Sequence, residues 1–329
     1  MNAIIRTKNL CKRYKKTTAL FQKILIENQK GDLTMNKLLS MELKRAAKFP
    51  VLWLGVIAVI AMNVYGILLN EYGFKIYTTT FLFQNSALEC IVLAVLIPLY
   101  MGHDFENRTI NNKISSGYSG YIRKEIYIVE LIVSSICATV LFIADITSVF
   151  ISSNIAGLEF NDKVNVPEFA FHATIAFVCI ITVSNLYTMI TMISHKQLIS
   201  LGISIILALA LLTLGGKSVS SLNQSSTWID PVTHETVENP LRIDGFARTA
   251  NNLHVLISPF AQAEFHSHML SESELGIKEE TSLIFKDFPY HIEFCLFNIL
   301  EILLFYNIGL RIFRKQDLIF RFLFLLFLQ

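Results

Sequence analysis

VLWLGVIAVIAMNVYGILL, residues 51–69, carries no charged side chain. A helix needs about 20 mostly apolar residues to cross a bilayer, and this run meets that length. Inside hydrocarbon no water satisfies backbone amides, so continuous helix is the form such a run takes. Five further runs share its length and character: Phe81–Met101, Ile126–Ile151, Phe169–Ile193, Leu198–Leu214 and His291–Gly309. Helices of a soluble core would be shorter and would show a polar stripe. The expectation is an all-α integral membrane protein with six transmembrane helices.

Composition agrees. Hydrophobic residues make up 53% of the 329-residue chain and charged residues 16%, against about 25% charged in an average soluble domain. A net charge of +2 is too small to argue for nucleic acid as a partner. Four of the five cysteines, Cys90, Cys137, Cys179 and Cys295, lie in apolar runs, and Cys11 stands apart, so no disulfide framework is implied. The first fifty residues are too charged for a signal peptide.

Charge also sets the expected orientation. Twelve Lys and Arg precede the first run, against three acids. Arg108, Lys113, Arg123 and Lys124 lie between runs two and three, Lys196 between four and five, and Arg311, Arg314, Lys315 and Arg321 after six. The short loops on the other side hold only Lys75 and Lys163. Positive loops stay cytoplasmic, so both termini are expected in the cytosol of a multi-pass protein. Residues 215–290 then form one large outer loop with five basic and ten acidic residues. Its middle, Leu253–Phe265, is apolar enough to dip into the interface or pack on the spans. Ser273–Ser282 reads as a short polar helix or turn.

Before the first run, Leu39, Leu43, Ala46 and Ala47 fall on one side of a helix, with Lys37, Lys44, Arg45 and Lys48 suited to lipid headgroups. Between runs two and three, the stretch from Gly102 to Tyr127 reads as a short helix closed by Gly117, with Ser119 capping the third span. Ile110 and Ile114 are four apart and share a face. A small apolar ridge flanked by amides suits docking into a groove of a cytosolic partner.

That stretch resembles the cytosolic loop of ABC type-2 permeases, the membrane subunits of ATP-driven exporters. Asp104-Phe105-Glu106-Asn107, Thr109-Ile110, Ile114-Ser115-Ser116-Gly117 and Ser119 carry the likeness. Arg108, where the family often has Gly, and Gly120, where it often has Arg, depart from it. The opening Met35–Pro50 is similar to the family's interface helix. Asn239-Pro240, Gly245, Arg248 and Ser258–Gln262 are similar to the stretch before the sixth span, and Arg314–Asp317 to the basic ending. The likeness covers about residues 35–318 and leaves 319–329 as an apolar tail.

The resemblance implies a permease with no ATP-hydrolysing site and no bound cofactor. ATP would be used by two copies of a partner ATPase. A second permease copy, homo- or heterodimeric, would complete the pathway in lipid, in a bacterial cytoplasmic membrane. Glu106, Asn107, Thr109, Ile110, Asn112, Ile114, Ser115 and Gly117 would couple to the ATPase. Peptide antibiotics, drugs and lipids are the substrate classes in view.

Residues 1–34 carry a different likeness. Ile4–Leu20 and Ile24–Leu33 resemble the first two strands of an ABC ATPase, with Tyr14 at the adenine-stacking position and Lys30-Gly31-Asp32-Leu33 leading toward a phosphate loop. The G-x-x-x-x-G-K-[ST] loop itself does not follow. A strand pair without its sheet buries too little to fold, so this segment reads as a poorly ordered cytosolic remnant, with Met35 the ancestral start. Gly215-Gly216-Lys217-Ser218 mimics the end of a phosphate loop, but Leu211 holds the first-glycine place. It is expected to be loop.

Ionisable groups inside hydrocarbon are costly and usually face a cavity or a partner. Glu89 and Asp145, deepest in their runs, with Asn85 and Asn185, are the candidate translocation-pathway residues. Glu130 and Glu293 lie near run ends and would reach headgroup water, and Glu301 also lies within a run. His266-Ser267-His268 with Glu264 and Glu272 lacks a metal-ligand register and reads as solvated, so no metal is expected. Other classes are a non-transporting immunity or receptor protein, and an intramembrane enzyme using Glu89, Asp145 or His172. No nucleophile–base pair at helical spacing favours the enzyme.

Overall fold

Each of the six apolar runs becomes a helix in the computed structural model, which describes residues 32–69, 77–107, 109–110, 120–160, 166–224, 227–229, 235–266 and 290–327. Among these residues six helical segments are long and apolar enough to cross a membrane: Pro50–Leu68, Thr78–Glu106, Arg123–Ala156, Phe169–Ser194, Gln197–Leu222 and Ile292–Phe313. The protein is a helical, multi-pass membrane protein. An even number of spans brings the N-terminal helix and the end of the last span to one face, here called the terminal face. Residues 223–289 connect spans at the opposite, loop face.

Helix α1 (Asp32–Ala47) precedes the spans. It begins three residues before Met35, so the expected boundary at 34/35 falls within one helix. Leu39 and Leu43 are half-buried and Ala46 buried as expected, while Ala47 is exposed. Helix α2 (Pro50–Leu68) starts with proline, whose missing N–H costs nothing at the first turn. Trp53, half exposed beside this start, donates its indole N–H to the Ala47 carbonyl at 2.8 Å.

The second span is broken near the loop face into α3 (Thr78–Phe81) and α4 (Ser86–Glu106). The break places Phe83 at φ 64°. A left-handed non-glycine residue costs about 1–2 kcal/mol, and burying a phenyl ring contributes about 1.5–3 kcal/mol. The Phe83 ring is wholly buried, stacked at 6.2 Å on Phe142 and 6.4 Å on Phe169, so burial holds the turn. At its other end α4 continues through Glu106, so Gly102–Glu106 belongs to the span and not to the following loop.

The third span lies in α5 (Gly120–Ala156), the fourth in α6 (Val166–Ser194) and the fifth in α7 (Gln197–Leu222). Only His195 and Lys196 join α6 to α7, and His195 takes φ 53° to make that turn. Helix α7 absorbs Gly215–Ser218, which the sequence marks as loop. The reason is packing. A Cβ on Gly215 would lie 2.7 Å from the Ala261 Cα, so glycine permits a close crossing there. Toward the terminal face the buried residues of α7 are also small, Ser200, Ser204 and Ala208, while Leu212, Val219 and Leu222 flank the glycine.

Among the described residues the long loop carries a two-stranded antiparallel ribbon. Strand β1 (Thr227–Ile229) pairs with β2 (Thr236–Glu238), Thr227 opposite Glu238. After it come α8 (Gly245–Ile257) and α9 (residues 259–266), separated by Ser258. The segment Ser273–Ser282 lies outside the described residues. Helix α10 (Tyr290–Phe327) carries the last span and continues into the apolar tail as helix.

Spans two, three and four are 56, 56 and 67% buried along their apolar windows, and spans one, five and six only 28, 28 and 22%. The first group is the centre of the bundle and the second its rim.

Candidate functional site

Two polar networks and one helical hairpin organise the interior. The first network lies toward the loop face and joins three spans. The Asn63 amide of α2 donates to Asp145 Oδ1 at 2.9 Å and to Ser148 Oγ at 2.7 Å, both on α5. Asn85, at the start of α4, donates to Asn63 Oδ1 at 2.6 Å. Ser148 completes the ring by donating to the Asp145 carbonyl at 2.8 Å. A buried polar group left unsatisfied costs about 1–3 kcal/mol, so these groups hold spans one to three in register. One turn beyond Asn85, Glu89 is wholly buried, and neither carboxyl oxygen has a hydrogen-bond partner among the described residues.

Two of the four expected pathway residues, Asn85 and Asp145, are therefore joined through Asn63, and a third, Glu89, lies one helical turn from Asn85. Asn185 is buried on α6, and no hydrogen bond joins it to them among the described residues. Asn63, the hub, is the residue that sequence reasoning missed.

The second network fastens α1 to the terminal face. Arg45 pairs with Glu42 at 2.8 Å and with Asp104 at the end of α4, and lies over the Tyr100 ring at 4.3 Å. The Tyr100 hydroxyl donates to Glu42 Oε2 at 2.9 Å. Glu130 of α5 joins them: Glu42, Asp104 and Glu130 each bring a carboxylate oxygen within 4.8 Å of the others. Burial works against the Arg45 charge, but the Asp104 hydrogen bond and the charges of Tyr100, Asp104 and Glu42 outweigh it and raise its pKa above the ordinary value. Arg45 is thus an internal clamp and not a headgroup ligand as the helical pattern implies. Glu130 and Glu293 are 2% and 3% exposed, which overturns their expected place in headgroup water. They sit near span ends, but the protein covers them.

Beside this clamp the end of the second span reaches the expected coupling residues. Glu106 and Asn107 are exposed, and the Asn107 amide lies 2.9 Å from a ring nitrogen of His103. Thr109 is half-buried. Ile110 is 4% exposed, packed with Ile126, Tyr127, Met192, Leu310 and Phe313. An exposed ridge of Ile110 with Ile114 is therefore not what forms; Ile110 is a root set into the bundle. Asn112, Ile114, Ser115 and Gly117, with Ser119, lie outside the described residues. Around Ile110 the rings link further spans: Phe105 meets His195 edge-on at 4.6 Å, His195 stacks on Phe313 at 5.8 Å, and Arg123 donates to the Phe313 carbonyl at 3.0 Å.

At the opposite end, α8 and α9 form a hairpin that enters the bundle. Cys179 of α6 donates its thiol to the Pro259 carbonyl at 2.8 Å. Asn298 of α10 donates to Gln262 Oε1 at 2.6 Å, and Gln262 caps the break by donating to the Leu256 carbonyl at 2.8 Å. Ser218 Oγ and His254 Nδ1 lie 2.9 Å apart. Burial lowers the His254 pKa. Phe260, Ala261 and Gln262 are wholly buried. The apolar stretch Leu253–Phe265 thus packs on the spans, as expected. His266 is buried too, its ring 5.7 Å from that of His172, so a solvated reading fails for it; His268 and Glu272 lie outside the described residues.

No protein-family model matches the chain, and no curated protein matches it.

Proposed function

We propose that the chain is the permease subunit of an ATP-driven exporter of the ABC type-2 kind, working with a separate ATPase and a second permease copy, both termini in the cytosol. The observation that supports this most is the rooting of the connection between spans two and three. Ile110 inserts among side chains of α5, α6 and α10, beside a ring stack that reaches α7 through His195. A partner pressing on that connection would move several spans together. Packed interfaces of this sort respond as two-state elements.

The clamp of Arg45 on Asp104 ties α1 to the same span end, giving the partner a second point of purchase. The hairpin at the loop face covers the bundle where cargo would leave. Peptide antibiotics, drugs or lipids remain the substrate classes in view.

Affinity purification from the native membrane tests the proposal. An ATPase that co-purifies, and whose hydrolysis rises when this chain is present in lipid, is the expected result. Purification free of any ATPase, with no nucleotide-dependent movement of cargo, would favour a non-transporting immunity or receptor protein.

A further inference from the structure

Glu89 and Asp145 are buried, and among the described residues no Lys or Arg acts on either. Asp145 faces Glu89 electrostatically from α5. Cys90 adjoins it on α4 and Cys179 faces it from α6, with Glu264 of α9 and Glu301 of α10 acting on those cysteines from beyond. The spans Pro50–Leu68, Thr78–Glu106 and Phe169–Ser194 contain no lysine or arginine. In the third span the only ones are Arg123 and Lys124, about 30 Å from Asp145 at the rise of an α-helix. Two carboxyls so placed do not carry two uncompensated charges in lipid.

The oxygens at hand are the two open oxygens of Glu89, the Asp145 carboxyl, the Asn63 amide oxygen and the Ser148 hydroxyl. Hard ligands of this type suit a proton or an alkali ion and not a soft metal. Asn85, half-buried at the break between α3 and α4, lies on the loop-face side of the pair and marks the side from which an ion would enter.

We propose that Glu89 and Asp145 form an intramembrane site for one monovalent cation, at which an alkali ion replaces a carboxyl proton. The exchange balances: the O–H bond of the acid breaks, the proton leaves to water, and the ion takes its place on the carboxylate. The site belongs to this chain alone and is probed without ATP or a partner, so its failure would leave the transport reading standing.

Two measurements on the full chain in lipid nanodiscs test it. A hydrophobic carbodiimide, which reacts with protonated buried carboxyls, should label Glu89 in peptide mass mapping. Sodium chloride should slow that labelling several-fold relative to choline chloride at equal ionic strength. In weak buffer, sodium or potassium should also release up to one proton per chain from the wild type, and none from Glu89→Gln or Asp145→Asn. The carbodiimide arm needs only the wild type, so a variant that fails to fold does not block the test. Labelling indifferent to sodium would overturn the proposal and leave a carboxyl that merely stores a proton. Proton release that persists in a folded Glu89→Gln would overturn it as well.

Discussion

Asn63 shows how much one amide can organise. It gives hydrogens to Asp145 and Ser148 and takes one from Asn85, so Asn63→Ala strips three partners at once. A loss of about 1–3 kcal/mol is expected, read as a lower thermal midpoint in detergent; an unchanged midpoint would mean the network is not structural. Arg45→Ala should cost more, about 3–5 kcal/mol for breaking a buried pair, reduced because the Arg45 side chain is 32% exposed. The same midpoint measurement checks it, and Arg45→Lys should recover part. Neither role is legible from the sequence. Asn63 is a lone amide in an apolar run, and its partners lie 22 to 85 residues away. Arg45 sits among lysines with the spacing of a headgroup ligand, and only the buried Asp104 distinguishes it. Glu89 and Asp145 were legible because a carboxylate deep in an apolar run is costly wherever it points.

At the scale of elements, the hairpin of α8 and α9 depends on glycine where α7 passes beneath it. Gly215→Ala forces a Cβ against the Ala261 backbone, and the hairpin must shift. Its cover over Cys179 should loosen, so a membrane-permeant maleimide should label that thiol faster than in the wild type. Equal rates would show that the hairpin yields without opening. Acid should act on the same hairpin through His254. Its folded pKa is lowered, so the unfolded chain binds more protons below the ordinary value of about 6.5, and stability falls as pH drops through that value. The thermal midpoint should fall between about pH 7.5 and about pH 5.5, and fall less in His254→Gln. The hairpin was half legible: Leu253–Phe265 is apolar enough to require cover, but nothing local tells interface from interior. The Gly-Gly-Lys-Ser string misled for a related reason. Glycine in a helix usually weakens it, and the gain from close packing depends on a partner segment remote in sequence.

For the whole molecule, length and apolarity made the six spans readable, because hydrocarbon leaves a backbone few options. The division into centre and rim was not readable, since central and rim spans are both greasy and differ only in what covers them. The rooted connection between spans two and three separates two substitutions that the sequence treats as alike. Ile110→Asp buries a charge among Tyr127, Leu310 and Phe313, and should lower yield and thermal stability sharply. Ile114→Asp should keep the protein's melting profile and instead lose stimulation of the ATPase proposed as its partner. Loss of the fold in both would assign the whole connection to the interior.

The turn at Ser258 also bears on parity. Residues 245–266 go in past Ser218, reach Cys179 at Pro259, and come back beside His172, so they enter and exit by the same side. However deep that excursion, it adds no crossing. Reporter domains fused after Asn223 and after His266 should light up in the same compartment, and a hydropathy count that promoted Leu253–Phe265 to a seventh passage would put the carboxyl end on the wrong side of the membrane.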